Sequence, residues 1–231
     1  MSARGGANGA RSHGTMSTQS VAIHWETPRL ELYDHVDSKD LFSSLPADYK
    51  AGNQPLIVYL TTASTDSARQ TKNAEETVLR DEEVGLGARL FRAIRLDGDR
   101  VQKSHPQWAT LGGTALPRVV VVDAAGRKSG ELEGNDLTAN NVFKLMERAA
   151  AKTYKSDLDR IVKELHSVLD DLDAIEPKLQ RIAEQKKTAS GAKLKDLTAE
   201  EQKLAEQLAA VHTREAGLLK KFQEDRKVAK S

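Results

Sequence analysis

Nine apolar residues, Tyr154, Leu158, Ile161, Leu165, Val168, Leu172, Ile175, Leu179 and Ile182, follow one another at alternating spacings of four and three. Side chains so spaced share one stripe of an α-helix, the seam along which helices pack. A second series in the same phase, Leu194, Leu197, Leu204, Leu208, Val211, Leu218 and Phe222, requires Glu201 and Glu215 to stand at two of its places. Burying one aliphatic side chain is worth roughly 1.5–3 kcal/mol, so stripes this long are not left in water. Between them KTASGAKLKDL breaks the pattern at Gly191, and TAEE at 198–201 has the form of a capping box that opens a new helix. A helix from there is about 46 Å long at about 1.5 Å per residue and, run backwards, reaches about residue 158. This arithmetic favours an antiparallel helical hairpin, a coiled coil, within residues 151–231. Pro177 costs about 3 kcal/mol inside a helix and predicts a kink or short break, without a register change because Ile175 and Leu179 stay in phase. Val162, Leu169, Ala205, Ala209 and Leu219 widen both stripes. Either a four-helix dimer or docked partner helix covers them, or they pack beneath long Lys and Arg stems.

The remaining length suffices for one globular core. Aromatic residues make up only 4% of the 231 and charged residues 30%, which suits a modest core joined to a solvated helical segment. Cysteine is absent, so disulfides, thiolate metal sites, iron–sulfur clusters and thiol nucleophiles are excluded together. Thirty-five basic residues stand against 34 acidic ones and interleave with them in the C-terminal third, so neither a nucleic-acid nor a membrane partner is expected. Residues 1–19, rich in Gly, Ser and Arg, read as a disordered leader with Met16 as a second candidate start. They lack the apolar stretch of about 7–15 residues of a secretory signal, and no apolar run approaches the ~20 residues that span a bilayer. A cytoplasmic location is the simplest expectation.

Within residues 20–150, VAIHW at 21–25 alternates like a short edge strand and DSKDLFSSL at 37–45 suits a short helix. Residues 56–60 form a continuously apolar run, as in a strand covered on both faces. A helical segment over about 66–86, a second strand ARLFRAIRLD at 88–97, and a hairpin in PRVVVVDAAGRKSGELEG follow. The closing helix begins near LTANN with Asp136 or Thr138 as its cap. Long crossovers between the first strands and a tight turn between the last two predict a mixed sheet in an α/β layer.

Three stretches in this order, LIVYLTTASTDSARQ, FRAIRLD and TALPRVVVVDAAG, resemble the thioredoxin-like fold. The resemblance implies that Ser64 and Ser67, flanking Thr65 and Asp66, stand at the two cysteine positions of the family's redox motif. It also implies that Leu116-Pro117 is the family's cis-proline, beside that turn, and that the two loops form a groove for an extended peptide. X-Pro bonds are cis in only about 5–6% of cases, so the residues by themselves predict trans. A serine hydroxyl has no accessible anion near neutral pH and cannot cycle through a disulfide, so thiol exchange is absent. The resemblance therefore implies a redox-inactive, non-catalytic binding or scaffold protein. Its partner-binding residues are Ser64, Thr65, Asp66, Ser67, Leu116 and Pro117, without cofactor or metal, and its hairpin mediates self-association or protein binding.

Two other readings remain. A serine hydrolase at Ser64 requires a base, whereas the six histidines, His13, His24, His35, His105, His166 and His212, fall in leader, edge, loop and coil, and no G-x-S-x-G surrounds the serine. An adaptor reading makes the coiled coil the functional part and the globular domain its anchor. By the simplest reading of the residues, Ser64 or Thr65 caps the following helix, and Pro117 opens a strand edge. His105 beside Trp108, and Gly85 with Gly87 in VGLGARL, are too sparse for a metal or phosphate site.

Overall fold

The computed structural model describes residues 21–27, 54–101 and 111–225. The leader, the expected helix at 37–45 and the loop carrying His105 and Trp108 lie outside these residues. The described chain is α/β. Strand β1 (Leu56–Thr61) leads through a 3-10 turn (Thr65–Ser67) into helix α1 (Ala68–Asn73), a π-helical turn (Ala74–Val78) and helix α2 (Glu82–Ala88). Strand β2 (Arg92–Asp97) follows, then β3 (Arg118–Val122), β4 (Lys128–Glu133) and helix α3 (Ala139–Thr153). Helices α4 (Leu158–Lys186) and α5 (Gly191–Glu224) complete the chain.

The sheet order is β2-β1-β3-β4, with β1 parallel to β2 and antiparallel to β3, and β3 antiparallel to β4. Because side chains alternate across a strand, the apolar run of β1 supplies both faces. Ile57 and Tyr59 join Ala93, Val119 and Val121 on one side. Leu56, Val58 and Leu60 join Ile94, Leu96, Val120 and Val122 on the other, against Val101 and Leu111. The β3–β4 turn is tied by the buried Asp123 carboxylate, which accepts from the amides of Ala125 and Arg127 and from Arg127 Nε.

Several boundaries depart from expectation. The long helix over 66–86 is three pieces, because Asp81 starts a new helix by accepting from the amides of Glu83 and Val84. That helix holds Ala88, so β2 begins at Arg92. Residues 21–25 are not a strand; the neighbouring Glu26 makes an isolated parallel bridge to Ile94, secured by its two-pronged contact with Arg92. Thr138, not Asp136, caps α3, accepting from the Asn141 amide.

α4 and α5 run antiparallel, joined by a turn at 187–190. The second helix opens at Gly191 and passes through Thr198, whose hydroxyl donates back to the Leu194 carbonyl, so TAEE is helix interior and not a cap. α4 runs unbroken through Pro177, whose ring faces solvent on the side away from the seam. Every residue of the first stripe is buried except the half-buried Leu179. Glu201 and Glu215 hold the two polar places of the second stripe because each meets a cation: Lys186 Nζ lies 2.6 Å from Glu201, and Arg89, just past α2, pairs with Glu215.

The apolar core does not divide at residue 151. One cluster runs from Tyr59 and Val119 of the sheet, through Leu86 and Met146, to Leu165, Val211 and Phe222 of the helix pair. Val162 and Leu169 are buried in it, where α4 packs on α2 and α3. Those two flanking residues therefore need no second chain to cover them, while Ala205 and Ala209 face solvent. A shared core predicts one cooperative urea transition, coincident by far-UV circular dichroism and tryptophan fluorescence. Leu165→Ala should lower its stability by about 2–5 kcal/mol. Two separated transitions would show the helix pair and sheet unfolding independently.

Candidate functional site

Two loops and a strand end meet at the C-terminal end of β1. The first is the turn after the strand. Its Thr62 hydroxyl donates to Asp99, 2.9 Å from Oδ1, and the Ala63 amide donates to Asp99 Oδ2 at 3.0 Å. The Ser64 amide then donates to Thr62 Oγ1 at 3.0 Å, and the Ser67 amide to the Ser64 carbonyl at 3.2 Å. Asp99 is itself held where β2 ends, because its amide donates to Asp97, which also pairs with Arg100 at 3.4 Å. One carboxylate beyond β2 thus fixes the turn beyond β1.

The side chains of Ser64 and Ser67 cap nothing, so the capping role expected of Ser64 is corrected. Thr62 has taken that place by receiving the Ser64 amide, which leaves the hydroxyls of Ser64, Thr65 and Ser67 without a bonding partner among the described residues. Ser64, Thr65 and Asp66 are exposed and Ser67 is half-buried. A polar turn with its backbone pinned and its hydroxyls unspent can offer hydrogen bonds to a ligand without first breaking its own.

The second loop, residues 112–117, arrives from the neighbouring strand. Leu60 pairs with Arg118, so continuing the antiparallel register sets Pro117 opposite Thr61. The Leu116-Pro117 bond is cis, against the trans expectation from composition. Leu116 lies over Gly98: a Cβ at Gly98 would come within 2.5 Å of Leu116 Cδ2 and 2.8 Å of the Thr61 carbonyl oxygen. Only glycine there lets the leucine settle against the end of β1. The six residues singled out from sequence therefore converge at one end of the sheet, with Ser64–Ser67 in one loop and Leu116-Pro117 in the other.

Two residues that sequence reasoning missed shape the second loop. Glu133, at the end of β4, accepts from the amides of Thr114 (3.1 Å) and Ala115 (3.0 Å) and from the Thr114 hydroxyl. Arg118 Nη1 lies 3.5 Å away, its side chain only 3% exposed. Gly113 leaves room for that guanidinium, since a Cβ there would fall 1.9 Å from Nη1. Burial pulls the Arg118 pKa down, opposed by Glu133 and Glu131. Burial alone would raise the Glu133 carboxyl, but the bonds from Thr114 and Ala115, with Arg118 behind them, hold it below its ordinary value. The available signal was an arginine opening an otherwise apolar strand, because a buried cation requires a nearby anion.

Other ionisable groups lie elsewhere. His166 Nδ1 is 2.9 Å from Glu82, and His212 Nδ1 is 3.7 Å from Glu215. His24 lines a 440 Å³ crevice between the N-terminal segment, α2 and α5. No base is hydrogen-bonded to Ser64 among the described residues. The Tyr59 phenol is pushed up to about 12 by burial and by Glu75, whose carboxylate also binds Arg95 at 2.6 Å, so it stays protonated. A 680 Å³ groove beside α3 carries both Lys144 and Arg148 as well as Glu147, Asp136 and Asp157, and does not include the loops. No group of three or more His, Asp or Glu among the described residues could hold a metal ion. No protein-family model matches the chain, and no curated protein is significantly similar to it in sequence.

The Glu133 cluster has a testable pH signature. A carboxyl whose folded pKa is depressed adds stability above its unfolded pKa, and that stability is lost as pH falls through the folded value. Glu133→Gln should therefore be destabilised by about 1–3 kcal/mol near neutrality. The gap from the parent should close on acidification through the ordinary carboxylate range, as read by urea midpoints across pH. A gap independent of pH would refute the assignment.

Proposed function

We propose that the chain is a redox-inactive thioredoxin-like binding module whose groove, between the Ser64–Ser67 turn and the Leu116-Pro117 loop, receives an extended peptide. The helix pair is a rigid arm for protein assembly. The observation that carries this reading is the convergence of the two loops at one sheet end, with Leu116 seated on Gly98 and the three hydroxyls of the turn unpartnered among the described residues. The strand order β2-β1-β3-β4, one parallel and two antiparallel pairings, supports it, since that topology carries both loops to the same end.

The chemistry that the site lacks follows from composition. Without cysteine there is no thiolate to attack a disulfide, and Ser64, with no base bonded to it among the described residues, is a poor nucleophile near neutral pH. Binding remains. An extended chain laid across the loops gains main-chain hydrogen bonds, and the half-buried Leu116 supplies an apolar contact.

Two variants test the reading. The double variant Ser64→Cys with Ser67→Cys should form an intramolecular disulfide under mild oxidation, seen as a loss of two thiols by mass spectrometry. A folded variant that stays reduced would oppose the alignment with a dithiol turn. Leu116→Lys should leave the circular dichroism spectrum unchanged and remove partners captured by the parent in affinity purification. An unchanged partner set would place binding elsewhere on the molecule.

A further inference from the structure

The near-even balance of signs that argued against a membrane partner hides two local runs in the C-terminal third, an acidic one at 170–176 and a basic one at 178–195. Between residues 178 and 195 six Lys and Arg stand against one acid, Glu184, and the turn at 187–190 brings both sides of this segment to one end of the helix pair. Lys186 is committed to Glu201 at 2.6 Å. Lys178, Arg181, Lys187, Lys193 and Lys195 are exposed and make no ion pair among the described residues. Among them sits Leu194, at 38% the exposed large hydrophobic side chain of the described residues. Immediately behind this end the shaft is mainly acidic: Asp170, Asp171, which pairs with Arg214 at 2.8 Å, Asp173 and Glu176 on α4, and Asp196, Glu200, Glu201 and Glu206 against Lys203 on α5.

We infer that the distal end of the helix pair docks end-on against an anionic phospholipid surface, with Leu194 entering the headgroup layer inside a collar of lysines. Three features favour a bilayer over other anions. Lys187 closes the end of α4 while Lys193 and Lys195 open α5, so cations from both helices surround one tip. Cations arranged around a tip meet a plane together, whereas a linear polyanion touches one flank at a time. The end also carries a single arginine and no aromatic residue, so it lacks the stacking and forked phosphate contacts by which nucleic acid is gripped. Leu194 has a place in a lipid interface and none on a phosphate backbone, while the lysine stems can reach past it to the headgroups.

The acidic shaft sets the orientation. Lying flat would bring Asp170, Asp173 and Glu176 within the screening length of about 8 Å from the anionic surface, so only the tip approaches. Lys187, Lys193 and Lys195 lie within about 6 Å of the turn along the axis at about 1.5 Å per residue. Each cation close to an anionic leaflet raises partitioning about five-fold. Three of them, with Leu194, give weak and reversible attachment that salt weakens. This surface is remote from the two loops of the groove, and its role stands or falls separately from theirs.

Flotation of the full chain with vesicles of mixed phosphatidylserine and phosphatidylcholine, against pure phosphatidylcholine, tests the inference. Binding to the anionic vesicles alone is expected, falling as salt rises. The triple variant Lys187→Glu, Lys193→Glu, Lys195→Glu should lose at least about 100-fold in partitioning, and Leu194→Ser several-fold, both with an unchanged circular dichroism spectrum. No binding to anionic vesicles at low salt, or binding that survives the triple substitution, overturns it. In parallel, a duplex and a single-stranded oligonucleotide are titrated by fluorescence anisotropy. Oligonucleotide binding that exceeds vesicle binding, with Leu194→Ser without effect on either, overturns the lipid assignment in favour of nucleic acid.

Discussion

The structure depends on the burial of the helix pair's foot against the sheet layer. Tyr154 follows α3 directly and stands 1% exposed, its ring centroid 4.2 Å from that of Phe222 near the end of α5. Its hydroxyl donates to the Leu90 carbonyl at 3.1 Å, just ahead of β2. One side chain therefore ties the last helix to the second strand, and the Lys155 amide, donating to the Asp225 carbonyl at 3.0 Å, closes the foot. Because α2 and α3 both pack on α4, removing the pair would uncover part of the apolar cluster that α2 and α3 share with it. The pair and the layer it adjoins therefore share one apolar cluster.

At the other end of the sheet, carboxylates do the organising. Asp99 holds the turn after β1 and Glu133 holds the loop before β3, each by accepting two or three bonds from a segment that has no regular structure of its own. Such bonds are stronger than neutral ones and fix geometry at sites where apolar contact is thin. The result is two loops placed by strands at either side of β1, with exposed hydroxyls between them. A surface arranged before any ligand arrives loses little entropy on binding, which suits recognition of a flexible chain.

Much of this was legible in the chain because period and composition decide it. The run LIVYL has polar residues on neither face and so reads as central, and the four-three alternation from Tyr154 to Ile182 fixes which side of α4 is buried. The β3–β4 hairpin was readable from DAAG between an apolar and a polar segment. The six loop residues were placed by resemblance, and the structure brings them together without showing what they bind. Three boundaries were illegible for local reasons. Asp81 caps a helix inside what composition reads as one continuous segment. TAEE matches a cap but lies where tertiary packing of Leu197 and Leu204 already extends the helix from Gly191. Glu133 looked like the solvent side of a polar strand, because nothing in a linear pattern shows that the amides of Thr114 and Ala115 lie beside it.

Charge was the property that whole-chain balance described least well. A net charge of +1 speaks for the chain as a whole. It does not report local runs, which the turn then brings together from two helices. Reversing direction at 187–190 superimposes the basic end of one helix on the basic start of the next, and lays acidic stretches of both side by side behind them. Long antiparallel helices therefore convert a neutral sequence into a rod with a sign at its tip and the opposite sign along its shaft. The apolar seam makes this tolerable: the like charges are repelled sideways into solvent, while Ile175, Ile182, Leu197 and Leu204, all below a tenth exposed, keep the helices in register. Folding energy held in the seam thus maintains a charge separation that the same residues would not sustain in an isolated helix.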